Sequence, residues 1–473
     1  MMRQRPEPPL IHAIEIADPL SAARALGHLP YPFVLHSAMR DVRARWSFFG
    51  ADPFAVVAGD DDGDAALMWR RFAREVEAAD DGPPFIGGIV GYWAYDFGRR
   101  LERLPSLAED DLHLPAVRLG FYDVIGAYDH QTRRAWLVST GLPLEGAMRH
   151  DRARRRLEAF ARLTTFGRRA GIGRWSARGA AVPAISTFGP EDYRAAVERV
   201  KEFIRAGDIF QANLSQRWTV EVAAAVPSAL ALALAESLAA ASPAPFAAWL
   251  GGPDHAIASD SPERFLELRR RQVETRPIKG TRPRGADPLE DRRLRVELLE
   301  SAKDRAENVM IVDVLRNDLG RVCETGSVQV TGLCELETFA QVHHLTSTVG
   351  GVLRPELDAF DLLHSCFPGG SITGAPKIRA MEILESLEPV RRHLYTGSIG
   401  YLDWRGDADW NIAIRTATVT PDSIRFSAGG GITAESEPEA EYLETLHKAE
   451  GMCRALEPVV GPVVLEPLHV GAL

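Results

Sequence analysis

Lysine is what this chain has least of among its charged residues. Of 55 lysines and arginines only five are lysine, at positions 201, 279, 303, 377 and 448. Arginine is therefore the default cation, and each lysine needs a chemical reason. A desolvated lysine can shed its proton and act as nucleophile or base, whereas arginine stays protonated. Cysteine is sparse too: Cys323, Cys334, Cys366 and Cys453 form no CxxC pair and no zinc-ligand spacing, which predicts buried thiols in a reducing compartment. No run of eighteen apolar residues occurs, and residues 1–10 are polar and proline-rich with no apolar core, so no membrane span or secretory leader is expected and the expected location is the cytoplasm. A net charge of −10 gives no electrostatic reason to expect a nucleic-acid partner. The arginine-rich stretch 149–156 reads as the solvated face of a helix.

What is present is an ordinary globular composition, 473 residues with 45% hydrophobic and 25% charged, enough for two cores or one extended core. Residues 11–163 mix strand-like runs (33–35, 85–90, 135–138) with helical stretches (66–79, 144–162). A stretch rich in Gly, Arg and Ala without apolar periodicity, 164–185, reads as a linker. Residues 186–458 form the second region. There the pattern predicts helices over 190–206, 288–301, 303–318, 357–366, 376–387 and 438–456. Strands are expected over 209–222, 246–251, 255–260, 264–268, 327–338, 342–352, 395–404, 409–419 and 423–428. Strands in adjacent blocks argue for an antiparallel α+β architecture over a doubly wound parallel sheet.

Three features carry chemistry. Lys279 lies in Pro277-Ile278-Lys279-Gly280-Thr281, an amine on a constrained backbone, although Arg276, Arg282 and Arg284 also allow a plain surface lysine in a basic turn. Asp304 with Glu307, and Glu441 with Glu444, are each spaced i,i+3, so each pair shares one helical face. Two such faces together would offer four hard oxygen donors of the sort Mg²⁺ takes; apart, they are solvated surface charges, Glu444 pairing with Lys448. The segment Phe367-Pro368-Gly369-Gly370-Ser371-Ile372-Thr373-Gly374-Ala375-Pro376-Lys377 is a glycine-rich loop running into a helix, able to present backbone N–H groups and hydroxyls to an anion. It is not a Walker A loop, because Ala375 stands where the lysine is needed. A second backbone cradle is expected at Gly429-Gly430-Gly431, just after a strand, with Arg415 and Lys448 placed to complement a carboxylate.

In this order, Ser261-Pro262-Glu263-Arg264-Phe265, Pro277 to Thr281, Asp304-Arg305-Ala306-Glu307-Asn308, Arg316-Asn317-Asp318-Leu319-Gly320, His344, the 367–377 loop, Arg415 and Glu441-Tyr442-Leu443-Glu444 resemble the chorismate-utilising enzymes. The resemblance covers roughly 190–456, with weaker support from Leu35-His36-Ser37 and Arg45-Trp46-Ser47-Phe48. It implies that family's fold, a large antiparallel β-sandwich flanked by helices. It implies Mg²⁺ held through Glu307 and Glu444 with Asp304 and Glu441 close by. It also implies substrate contacts from Thr281, His344, Ser371, Thr373, Gly374, Tyr401, Arg415, Gly429, Gly430, Gly431 and Lys448.

Two positions separate the branches of that family. Isochorismate and salicylate synthases carry a water-activating lysine where this chain has Gln211, which cannot serve as that base. Anthranilate synthases typically have alanine at the position of Lys279, and the aminodeoxychorismate synthases are the branch with lysine there; Ala244-Pro245-Phe246-Ala247-Ala248 also looks like their version of that segment. The resemblance thus implies amination of chorismate to 4-amino-4-deoxychorismate through a covalent Lys279 intermediate, with Glu263 protonating the leaving hydroxyl. No glutamine-amidotransferase nucleophile segment occurs, so a separate glutaminase subunit and a separate pyridoxal-dependent lyase are expected. The alternative within the family is an anthranilate synthase, whose tryptophan-feedback site would fall around Leu35-His36-Ser37.

Overall fold

The computed structural model describes residues 7–39, 44–77, 82–166, 181–339 and 342–468. Two large sheets face each other, the antiparallel sandwich expected. The first has thirteen strands and runs from Leu10–Ile14 at one edge, through Phe33–His36, Phe246–Leu250, Ala256–Ser261, Thr416–Val419, Ser423–Ile432 and Gln211–Glu221, to Val463–Glu466 at the other. The second has ten and is antiparallel throughout, centred on Arg264–Arg269, Ala408–Asn411, Ser398–Asp403 and Gly88–Trp93. Between the sheets lie Phe33, Phe48, Ile89, Leu119, Ile257, Leu266, Leu402 and Trp410, all buried. The outer face of the first sheet is covered by helices Pro227–Ala241 and Pro438–Val460, through Leu230, Leu234, Met452 and Leu456 against Trp218, Ala258 and Phe426. Inward residues of two facing sheets and one helix layer thus make the two largest of the four cores among the described residues.

Both sheets draw strands from either side of 164–185. Phe33–His36 pairs with Phe246–Leu250, and Gly88–Trp93 pairs with Ser398–Asp403. Of the expected linker, 167–180 lie outside the described residues; 164–166 close the helix Gly146–Phe166, and Val182–Ser186 is a strand beside Gln211–Glu221. All four cysteines are free and buried. Among the described residues no helix is long and apolar enough to cross a membrane.

Three expectations need correcting. Of the stretch 149–156, Arg154 and Arg155 are exposed as expected, but Arg149 is buried, donating to the carbonyls of Thr140 (2.7 Å) and Glu75 (2.9 Å), while Arg152 and Arg156 reach the buried Asp123 (3.1 Å each). Arginine packs its stem in the core while its planar head satisfies several acceptors, so a run of arginines need not face water. The expected strand 409–419 is two strands, broken where Arg415 takes φ 49°. Gly429, Gly430 and Gly431 do not follow a strand but lie within one, opposite Ser215, Leu214 and Asn213.

Candidate active site

The strand Ile278–Pro283 pairs with Val342–Val352, and its register shifts between Ile278 and Thr281. Gly280 makes the shift possible, at φ 85° and with Asp304 so near that an added Cβ would sit 2.9 Å from the aspartate Cβ. Such a bulge re-aims the neighbouring side chain, here Lys279. Glu263 lies where the chain leaves the first sheet and enters the second, fixed by its N–H on Ser261 Oγ (3.3 Å) and its carbonyl under the Ile412 N–H (3.0 Å). The two groups sense each other. Burial pushes the Glu263 carboxyl up to about 7, against the pull of the Ser371 hydroxyl, the Lys279 charge and the Ile278 backbone. Burial lowers the Lys279 amine, which Glu307 and Glu263 raise and Lys448 lowers further. The two shifts run in the directions that a neutral amine and a protonated carboxyl require.

The helices Ala302–Gly320 and Pro438–Val460 bring the two acidic faces to the bare backbone of Gly430 and Gly431. A Cβ on Gly430 would lie 3.0 Å from Glu441 Oε2 and 3.6 Å from Glu444 Oε1; one on Gly431 would strike Gln211 Nε2 at 2.1 Å and approach Glu307 Oε2 at 3.7 Å. Glycine here keeps room open in front of three carboxylates. Burial raises Glu307 and Glu441, each further raised by a neighbouring carboxylate, while Lys448 holds Glu444 down against its burial. Lysines balance the group: Lys448 Nζ lies 2.7 Å from Glu444 and donates to the Gly429 carbonyl (2.7 Å), and Lys303 lies 3.8 Å from Glu441. Asp304, close enough to Glu307 to raise its carboxyl, is itself bonded to Arg282 at 3.2 Å. Among the described residues no three His, Cys, Asp or Glu groups form a ready-made metal site. The chemistry of the set still fits a hard divalent cation: acceptor-only oxygens that repel one another, over a cleft that glycine leaves open.

A second arm carries Thr281, whose Oγ1 bonds His344 Nδ1 at 2.8 Å. Burial and the nearby Arg415 lower His344 to about 4, so its ring is neutral at pH 7. Thr373 is buried, its hydroxyl on the Gly369 carbonyl (3.1 Å) and its own carbonyl under the Asn213 N–H (2.8 Å), while Gly374 pairs with Ala212. Gln211 is buried beside them and its Oε1 has no hydrogen-bond partner.

Tyr401 is not brought to this group. It lines a separate inter-sheet cavity of about 460 Å³ with Leu35, His36, Ser37 and Phe48, and its hydroxyl bonds Arg269. Tyr395, six residues earlier, is buried beside Asn213 and Arg392. Lys377 also turns away, to Asp318 (2.7 Å) and the Cys366 carbonyl (2.7 Å).

Comparison with known proteins places this geometry. The family model of the chorismate binding enzymes matches residues 31–454. Aminodeoxychorismate synthase component 1 of Escherichia coli is 40% identical over 91% of this chain and 94% of its own length. Anthranilate synthase component 1 of Thermus thermophilus is 39% identical over 94% of this chain and 96% of its own. The crystal structure of anthranilate synthase component I from Streptococcus pneumoniae superposes with a TM-score of 0.73 at 31% identity, covering 88% of this chain and 93% of that one.

Proposed function

The chain belongs to the chorismate binding enzymes, and from that premise we propose that it aminates chorismate to 4-amino-4-deoxychorismate, a precursor of 4-aminobenzoate and folate. The observation that carries this reading is the pairing of Lys279, its ammonium destabilised by burial, with Glu263, its carboxyl raised to about 7. Neutral Lys279 attacks carbon 2 of the ring, the double bonds shift, and the 4-hydroxyl leaves. Hydroxide is a poor leaving group, so Glu263 donates its proton and water departs. Ammonia then adds at carbon 4, the double bonds shift back and the bond to Lys279 Nζ breaks. The proton that ammonia loses returns to Glu263. One hard displacement becomes two easier ones.

Glu307 and Glu444, with Glu441 and Asp304 near them, would hold Mg²⁺, which when bound supplies positive charge for a substrate carboxylate. Arg415, Lys448, Thr281, His344, Ser371, Thr373, Gly374 and the 429–431 backbone would orient the rest of the substrate. A separate glutaminase would supply ammonia; the designation "component 1" of the aminodeoxychorismate synthase relatives supports a second component. Incubation with chorismate, Mg²⁺ and ammonium should yield the 4-amino product. Anthranilate as the main product would overturn this reading in favour of the anthranilate synthases, which are nearly as similar.

A further inference from the structure

Lys201, one of the five lysines, has no part in the chemistry above, yet it is buried. It lies on the helix Pro190–Arg205, which packs on the helix Pro438–Val460 through Tyr193, Val197 and Tyr442. Its Nζ stands 3.3 Å from Glu198 and donates to the carbonyl of Ser436 at 2.6 Å. An ammonium is a compact charge that can reach one carbonyl in a closed space, where a planar guanidinium needs room for its fork. Ser436, also buried, stands just before the helix Pro438–Val460. A serine at a helix entrance ordinarily accepts from the helix N–H groups. Here the hydroxyl is spent otherwise: its oxygen accepts the Thr433 N–H at 3.0 Å, and its proton goes to Glu441 Oε1 at 2.6 Å. That length is typical of a hydroxyl bonded to a carboxylate. The Ser436 backbone is pinned on both sides, its N–H on the Thr433 carbonyl (3.2 Å) and its own carbonyl under Lys201, so the hydroxyl is aimed rather than free to turn.

The consequence falls on the second oxygen of Glu441. With Oε1 engaged, Oε2 stands over Gly430, 3.0 Å from where a Cβ would sit, and Glu444 Oε1 lies 3.6 Å from the same point. The other cation near Oε1, Lys303, is half-exposed and 3.8 Å away, too far to fix the carboxylate's rotation. We propose that Ser436, braced by Lys201, is the positioning residue of Glu441: by holding Oε1 it turns Oε2 toward the divalent cation proposed for Glu307 and Glu444. The proposal rests on that cation site. Hydrogen bonds behind a metal-binding carboxylate set its direction, and losing one typically costs ten- to a hundredfold in metal affinity. The brace thus joins three pieces of chain, the helix Pro190–Arg205, the turn 433–436 and the first turn of Pro438–Val460, to one carboxylate oxygen.

Mn²⁺ tests this in the full chain without turnover: it shares the preference of Mg²⁺ for oxygen ligands, and its free form is counted by electron paramagnetic resonance. Ser436→Ala should lower Mn²⁺ affinity on the order of tenfold or more. In a Glu441→Ala background the same change should cost nothing further, because a residue that acts through Glu441 then has nothing to hold. Equal losses in the two backgrounds would show that Ser436 supports the fold and not the carboxylate, and no loss in either would be as fatal; both results overturn the proposal. Lys201→Met, similar in length and uncharged, should weaken Mn²⁺ in the wild-type background and not in Ser436→Ala; unchanged affinity in the single variant would strike Lys201 from the brace. Glu444→Ala separates the proposal from its premise. If that variant binds Mn²⁺ as wild type does, the cation site itself fails and the proposal with it; if it loses Mn²⁺ while Ser436→Ala does not, only the positioning role fails.

Discussion

At the scale of single residues the site turns on proton placement. Lys279→Arg should be nearly as damaging as Lys279→Ala, each on the order of 10²-fold or more in kcat, because a guanidinium keeps the charge but cannot attack; near-normal turnover in the arginine variant would exclude covalent catalysis. Lysine scarcity makes the adduct easy to map. A trapped intermediate on Lys279 would block lysine-specific cleavage there and fuse residues 202–279 to 280–303 in the mass spectrum. Glu263 gives two signs. As an acid it must be protonated, so turnover at saturating free NH₃ should fall as pH rises through about 7. Its folded value lies above its ordinary one, so the stability it lends is present at low pH and lost as pH rises from about 4.5 to about 7. Glu263→Gln should therefore melt higher than wild type at pH 8 and close to it at pH 4.5, while losing activity at both. The motif around Glu263 is visible in the sequence; that Tyr401 lies away from it is not. Tyr395 and Tyr401 stand six apart, and only the start of the strand at Ser398 decides that Tyr401 faces the inter-sheet cavity.

At the scale of elements, legibility follows periodicity. The helix Pro190–Arg205 lies where amphipathic spacing puts it, while the strand Val342–Val352, found where expected, is buried almost throughout rather than on alternate residues. The helix Pro227–Ala241 escapes such a reading because it is apolar nearly all round, with Leu230, Ala231, Leu232 and Leu234 all buried, so no face stands out. The acidic pairs are legible as helical faces, but the space between them depends on strand pairing that no local pattern encodes. Gly430→Ala tests that space. Its backbone needs no glycine conformation, so the fold should survive with little change in melting temperature. The methyl group would crowd Glu441 and Glu444, and Mg²⁺ affinity should drop on the order of tenfold. Gly59→Ala, with nothing within 4 Å, is the control. An unchanged Mg²⁺ titration in Gly430→Ala would place the cation elsewhere.

At the scale of the whole molecule, residues 186–458 hold the named site residues but not the neighbours of their strands. Expressed alone, that segment would expose the edges of Phe246–Leu250 and Ser398–Asp403, which Phe33–His36 and Gly88–Trp93 cover in the intact chain. Unpaired edges aggregate. The fragment should be insoluble by itself and gain solubility when residues 1–163 are supplied in trans; a soluble, active 186–458 would show the shared sheets to be dispensable. The same interleaving reaches back to synthesis on the ribosome. Translation is vectorial, so Gly88–Trp93 emerges long before Ser398–Asp403, and at the usual pace its edge waits roughly tens of seconds for its mate. During that interval the nascent sheet is half a sandwich, and a cell making this protein must shelter an edge that the finished molecule never shows.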